Sequence, residues 1–385
     1  MGDVLSAAWQ AVYTGAGLFW KALWALALGY AVSAGIQVFV SRSDAAKRLG
    51  AGTPPQLALA MVLGFASSSC SFAALGATRS LFVKGAALTS ALAFMFASTN
   101  LAVEVAALAL IFLGWEYALA LFVGAPILVA VMALLVRLTA PQQLTDGAKA
   151  HAEEVSGMED NPSEGLPESL RDRATDRRAW HQVGTSYIAE WDMVYKELTV
   201  GFLIAGAIAA LVPSSFFEAL FPSPDAGWWA LPVQALMAPV LAVLTFIGSM
   251  GNGPLAAILA SNGVAFGAIM VFLYADFVVP PAVKINANYY GWRFAAYLAA
   301  IFTVAAVVSG LAVHGLFAVV GLLPSGDRPS VTELATFAID YTFWLNLIAI
   351  ATAVTLVVLA RRTPPDQDGR QTESHAQAET SGATA

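Results

Sequence analysis

The 385 residues are 58% hydrophobic and only 12% charged, with a mean hydropathy of +0.69. A soluble domain runs near half apolar and a quarter charged, so this composition excludes one and indicates an all-α polytopic membrane protein. The net charge of −7 sits largely in one polar stretch and the tail, no basic stripe suggests a nucleic-acid partner, and one cysteine excludes an internal disulfide or a multi-thiolate metal site.

In chain order, residues 18–40 form a first span of about the 20 residues a bilayer needs. The stretch before it has no basic n-region and no cleavage site, so this span is expected to be retained. Residues 56–80 are apolar but broken by Ser67-Ser68-Ser69-Cys70-Ser71. Residues 81–113 are apolar again but too long for one plain span; Ser98-Thr99-Asn100 interrupts them, with Glu104 one turn further on. Residues 117–138 are an ordinary span, with Trp115 and Tyr117 at its interface. The chain then changes character. Residues 139–196 carry a run of acids followed by arginines and read as a polar, partly disordered loop with an amphipathic end near 180–191. Apolar sequence returns at 199–221 and 230–246 and meets a second break, Gly248-Ser249-Met250-Gly251-Asn252-Gly253-Pro254. It continues through 264–279 to Pro280-Pro281, then through 294–322 and 337–359.

The organisation that follows is a first membrane half, 1–138; the loop, 139–196; a second half, 197–322; an extra span within 323–360; and a disordered tail, 361–385. The Lys and Arg count puts the loop in the cytoplasm. The location expected is a bacterial-type inner membrane, crossed many times.

A lipid-facing helix has no use for a run of small polar side chains. A helix that breaks inside the membrane does, because its freed backbone groups need polar neighbours. Two such breaks at corresponding places in two halves point to a transporter binding site. Sliding the chain by 182 residues sets Ser67 on Ser249, Cys70 on Asn252, and Ser98-Thr99 on Pro280-Pro281. Two arrangements remain open. If 98–100 is a kink, each half has four crossings and the repeat is parallel. If it is a hairpin tip, each half has five and the repeat is inverted. Either way the expected fold is a two-fold repeated bundle of eight to ten transmembrane helices with discontinuous helices at the centre.

Several residues carry a further likeness: Ser69-Cys70-Ser71, Arg79, Lys84-Gly85, Ser98-Thr99-Asn100 and Gly114-Trp115. On these the chain resembles the predicted-permease family that includes the organoarsenical efflux permeases, over most of residues 18–322. The resemblance implies a permease built of two halves around a polar loop, with a soft metalloid as one possible solute class. This chain departs from the family pattern in having one thiol at the first break where that pattern has two, and no proline after Ser98.

The residues themselves suggest a solute site. Broken helices expose N–H groups and a positive dipole end, which suit an anion or a polar neutral solute. Ser67, Ser68, Ser69, Cys70 and Ser71 from one break and Ser249, Met250 and Asn252 from the other would contact the solute, with Asn100 orienting it. Glu104 and Asp276 stand amid apolar sequence, and an ionisable group at membrane depth is a functional candidate. Both could carry a coupling proton, with Lys284 as a counter-ion to Asp276. His314 reads as a structural histidine, Arg79 and Lys84 as marks of a membrane boundary. No Walker motif, metal cluster or nucleophile–base pair is present, so neither ATP hydrolysis nor another enzyme activity is expected, and no cofactor. The function expected is a secondary transporter exporting a small solute or ion, with the bilayer as its other partner. The alternatives are a passive channel on the same scaffold and a membrane-embedded enzyme.

Overall fold

The computed structural model describes residues 2–39, 48–67, 71–155, 175–223, 226–245, 249–324, 333, 335 and 337–362. All regular structure among them is helical: α1 Gly2–Phe39, α2 Pro54–Ser67, α3 Ser71–Val83, α4 Leu88–Asn100, α5 Val103–Phe112, α6 Trp115–Thr139, α7 Gln142–Val155 and α8 Arg177–Leu211, then α9 Ser214–Leu220, α10 Ala230–Thr245, α11 Ser249–Ser261, α12 Phe266–Tyr274, α13 Pro280–Tyr290, α14 Trp292–Val320 and α15 Tyr341–Arg361. Six stretches are long and apolar enough to cross a membrane, or seven if the bent pair α4–α5 counts as one. The eight to ten expected are not reached. The reason is length: the 14 residues of α2 and the 13 of α3 rise only about 20 Å each, against a hydrocarbon core of roughly 30 Å.

Contacts fix how these short helices run. A Cβ on Gly52 would meet Thr89, and one on Gly64 would meet Ala97 and Ser98, so α2 runs alongside α4 in the same direction. Helix α3 reaches the start of α4 through the turn 84–87, where Ala87 N–H donates to Leu49 O at 2.9 Å. The outer ends of α2 and α3 therefore lie at one end of the bundle. The same holds for α10 and α11. Ala265 N–H, at the start of α12, donates at 2.7 Å to the side chain of Gln234 in the first turn of α10.

Helix α6 tells the two ends apart. Its last turn brings Arg137 to donate to Gly52 O, whereas near its start the Tyr117 ring packs 4.7 Å from Phe266. Helices α2 and α3 thus open from the end where α6 finishes, and α10 and α11 from the end where it begins. Helix α14 spans the same distance, with Tyr297 OH 2.9 Å from Thr139 Oγ1 at one end and His314 Nδ1 accepting from Gly267 N–H at the other.

Arg48, Lys84, Arg137, Lys149, Arg177, Arg178, Arg293, Arg361 and Arg362 all belong to the α6 C-terminal end. The segments at the opposite end, 113–116, 212–223, 226–230, 261–266, 318–324 and 337–341, contain no Lys or Arg.

Small residues let the long helices touch. Gly15 of α1 and Gly206 of α8 meet backbone to backbone, where a Cβ on Gly15 would come 2.7 Å from Phe202 O. Helix α8 also runs unbroken through the loop boundary drawn at 196 from composition. Its buried stripe, Val183, Tyr187, Glu190, Val194, Leu198 and Phe202, recurs every three to four residues and packs on α1. The polar character of 177–196 belongs to the exposed face of a helix that enters the core.

Candidate functional site

Where α4 gives way to α5, the axis turns by 42°. The side chains that make the turn are Ser98, Thr99 and Asn100, all buried and all bonded backwards. Ser98 Oγ donates to Met95 O at 2.9 Å, Thr99 Oγ1 reaches Met95 O and Phe96 O at 3.3 Å, and Asn100 Nδ2 donates to Phe96 O at 3.2 Å. Such back-bonding competes with the helical ladder and bends it. These three residues therefore shape the kink. A turn of 42° is a kink and not a hairpin tip.

The kink frees the first N–H groups of α5, and Glu104 sits in that first turn, fully buried. Its carboxylate lies where the helix dipole favours negative charge. It also leans on α1. A Cβ placed on Gly29 would stand 2.7 Å from Glu104 Cβ and 2.9 Å from its Oε2, so only glycine gives Glu104 this seat.

The second interruption is the short 3₁₀ turn Ala275–Phe277 between α12 and α13. It holds Asp276, 2% exposed. Asn252, in the first turn of α11 and also buried, donates its Nδ2 to Asp276 Oδ1 at 2.5 Å. The neighbouring Gly253 packs on Leu108 and Phe112 of α5. The two interruptions are joined by aromatic rings. Phe96, whose carbonyl accepts from Asn100, lies 5.4 Å from Phe277 and 4.9 Å from Phe302 of α14.

Of the residues singled out in the sequence, the structure brings together Asn252 and Asp276, and places Asn100 and Glu104 on either side of one kink. Ser67 ends α2 and Ser71 begins α3, both buried. Ser68, Ser69 and Cys70 lie outside the described residues, as do the side chains of Ser249 and Met250 at the start of α11. Lys284 is exposed on α13 and does not reach the buried Asp276. Arg79 lies four residues before the outer end of α3; it is 4% exposed and stacks its guanidinium 4.5 Å from the ring centre of Tyr289. His314 serves the first turn of α12 as an acceptor. No group of three or more His, Cys, Asp or Glu is placed to hold a metal among the described residues.

One cluster was not anticipated. Glu190 of α8, 4% exposed, accepts at Oε1 from Ser33 Oγ at 2.6 Å and from Gln37 Nε2, both on α1. Ser33 Oγ is also 3.2 Å from the carbonyl of Ser67. The signal was there in the sequence: Glu190 falls on the apolar stripe of α8, between Tyr187 and Val194, but the charges on the exposed face hid it.

The arrangement is that of a helical bundle with apolar spans and buried carboxylates at Glu104 and Asp276, and comparisons with known proteins identify its family. A family model described as predicted permease matches residues 8–315. The chain is 38% identical over 325 residues to the "Putative permease Rv2963" of Mycobacterium tuberculosis, an alignment covering 83% of this chain and 80% of that protein. No solved structure matches. On the extent of both likenesses, the chain belongs to the predicted permease family.

Proposed function

We propose that this permease is a proton-coupled secondary transporter that exports a small solute across a bacterial inner membrane. The solute binds where two helical hairpins, α2–α3 and α10–α11, approach from opposite faces. The observation that carries the reading is the Asn252–Asp276 pair: a carboxylate in a membrane-spanning stretch, held by an amide from a hairpin arm. Loading the site and moving the hairpin arm are thereby linked to the charge on Asp276. Glu104, at the other interruption, is the second proton carrier.

An inverted repeat supports the reading. Residues 71 and 83, which bound α3, lie 178 before 249 and 261, which bound α11, and α4 begins 178 before α12. The turns between them match as well, with Gly85 at φ +104° and Gly263 at φ +79°, and with caps Ala87 and Ala265 at ψ 144°. The register is 178, not 182; at 182, α3 would run past the end of α11 and across Gly263. Each half then has three crossings and one hairpin. An odd number of crossings inverts the second half, which places the hairpins at opposite ends of α6. Helix α15 is an addition. Because every Lys and Arg in the connecting segments described falls at the α6 C-terminal end, that end is cytoplasmic.

For the solute, the small-polar hairpin sequences and exposed helix ends suit a small anion or a polar neutral molecule. Cys70 adds a soft ligand, which keeps a metalloid or organoarsenical in the set. A panel of candidate solutes, arsenicals included, tested in proteoliposomes with an imposed proton gradient decides the matter. Saturable flux that drives proton movement supports the transporter. Non-saturable flux indifferent to the gradient favours the alternative, a passive channel. Loss of all solute flux in wild type would leave neither.

A further inference from the structure

Glu190 has no role in the transport reading above, yet it is a buried carboxylate in a membrane-spanning helix and its partners cannot all be served at once. Ser33 has one hydroxyl proton. Two acceptors lie within its reach, Glu190 Oε1 at 2.6 Å and Ser67 O at 3.2 Å, while Gln37 Nε2 donates to Ser33 Oγ from 3.1 Å. Ser67 is the last residue of α2, the ingoing arm of the first hairpin. With Glu190 ionised, the charge-assisted bond wins, because an O–H to a carboxylate is roughly twice as strong as one to a neutral carbonyl. Ser33 then gives its proton to Glu190, and Ser67 O loses that donor. With Glu190 protonated, the direction reverses. The carboxyl O–H donates to Ser33 Oγ, and the Ser33 proton turns to Ser67 O. No heavy atom needs to move between the two states.

We propose that Glu190 is a proton-binding site that, through Ser33, ties the end of α2 to α1 when protonated and releases it when ionised. The step balances as one proton taken from water onto a carboxylate oxygen, with reorientation of one hydroxyl, and the reverse on release.

The titratable groups around Glu190 come from few elements among the described residues. On α1 there is Tyr30, with Ser33 and Gln37 as neutral donors. Helix α5 contributes Glu104, which sits against Gly29, one turn from Ser33 on the same side of α1. Helices α2 and α11 contribute no titratable group to their described faces, and α15 carries only Tyr341 and Arg361, at its two ends. On α8 itself Tyr187 lies one turn before Glu190, while Asp192 and Lys196 point to the exposed side. Two carboxylates therefore sit against neighbouring turns of α1, Glu104 at Gly29 and Glu190 at Ser33.

This inference builds on the transport reading but is tested without any flux, so either can fail alone. The full chain in nanodiscs is titrated and followed by infrared difference spectroscopy and by hydrogen exchange of the peptide ending at Ser67. A protonated-carboxyl band that titrates in wild type and vanishes in Glu190→Gln is expected. The glutamine amide can donate to Ser33 as the acid does, so this variant is locked in the tied state. The exchange rate of wild type relative to Glu190→Gln, compared at equal pH so that intrinsic exchange cancels, should be near one in acid and rise about fivefold in alkali, the worth of one net hydrogen bond. Ser33→Ala should keep the carboxyl band but lose the pH dependence of α2. A relative rate that stays at one across the titration, no band lost in Glu190→Gln, or pH-dependent exchange that persists in Ser33→Ala would each overturn the proposal. A purely structural Glu190 would shift exchange equally at every pH. Should Glu190→Gln not fold, wild type against Ser33→Ala gives the same decision.

Discussion

Asn252 and Asp276 are 24 residues apart in the chain and hydrogen-bonded in the core, linking a hairpin arm to the interruption of the span beside it. The bond has a built-in asymmetry under mutation. Asp276→Asn keeps an acceptor oxygen for the Asn252 amide and should cost under about 1 kcal/mol of stability. Asn252→Leu strips a buried carboxylate of a donor and should cost about 1–3 kcal/mol. Thermal unfolding in one detergent checks the order of the two. In flux assays Asp276→Asn should abolish the response to a proton gradient while leaving solute binding measurable.

Lys284 supplies the matching control. It is exposed, so Lys284→Met should change neither thermal stability nor proton-driven flux beyond the roughly ±0.5 kcal/mol typical of surface changes. Loss of coupling in this variant would mean that the charge at 284 is felt at Asp276 after all.

The membrane class and the buried carboxylates at 104 and 276 were legible because each breaks an apolar pattern that one chain shows by itself, whereas the glycine-rich run expected as a break is helical from Ser249 through Pro254 and opens α11. The hairpins were not. A run of apolar residues with a polar middle looks the same whether it crosses or turns back, and only the pairing of Ala87 with Leu49 and of Ala265 with Gln234 decides it. Glu190 was hidden for a different reason. Its neighbours Asp192 and Lys196 face outward from the same helix, and averaged composition hides which face a charge occupies. The register of 182 rests on matching serine to serine, whereas the proposed repeat pairs the turn glycines Gly85 and Gly263.

Gly29 should prove intolerant of any side chain. A methyl group there would overlap Glu104, whose Cβ is 2.7 Å from the position it would take. Gly29→Ala should destabilise the protein by about 1–3 kcal/mol through overpacking, and it should displace the carboxylate from the first turn of α5. Gly35, on the same helix with open space around its Cβ position, is the comparison. Gly35→Ala should be neutral or slightly stabilising, since alanine is the better helix former by up to about 1 kcal/mol. If both variants melt alike, the close seat of Glu104 on α1 carries no energetic weight.

The inverted arrangement makes a prediction that separates it from the parallel one. In a variant with Cys70 replaced by Ser, single cysteines are placed at Ala51, before α2, and at Asn262, after α11. Both positions lie in turns at the outer ends of hairpins, so both meet water whichever way the bundle is inserted. A parallel repeat would expose the two on the same face of the membrane. The inverted repeat puts them on opposite faces: Ala51 beside Arg137 at the arginine-rich end, Asn262 at the end whose connecting segments hold no Lys or Arg. An impermeant maleimide added to intact cells should label position 262 and spare position 51, and inside-out vesicles should reverse the pattern. Because Ser163 lies in the segment joining α7 to α8, and that segment is bounded by both at the arginine-rich side, a cysteine there should behave as position 51 does. Labelling of 51 and 262 from the same side would refute the inversion and with it the meeting of two hairpins on which the proposed solute site depends.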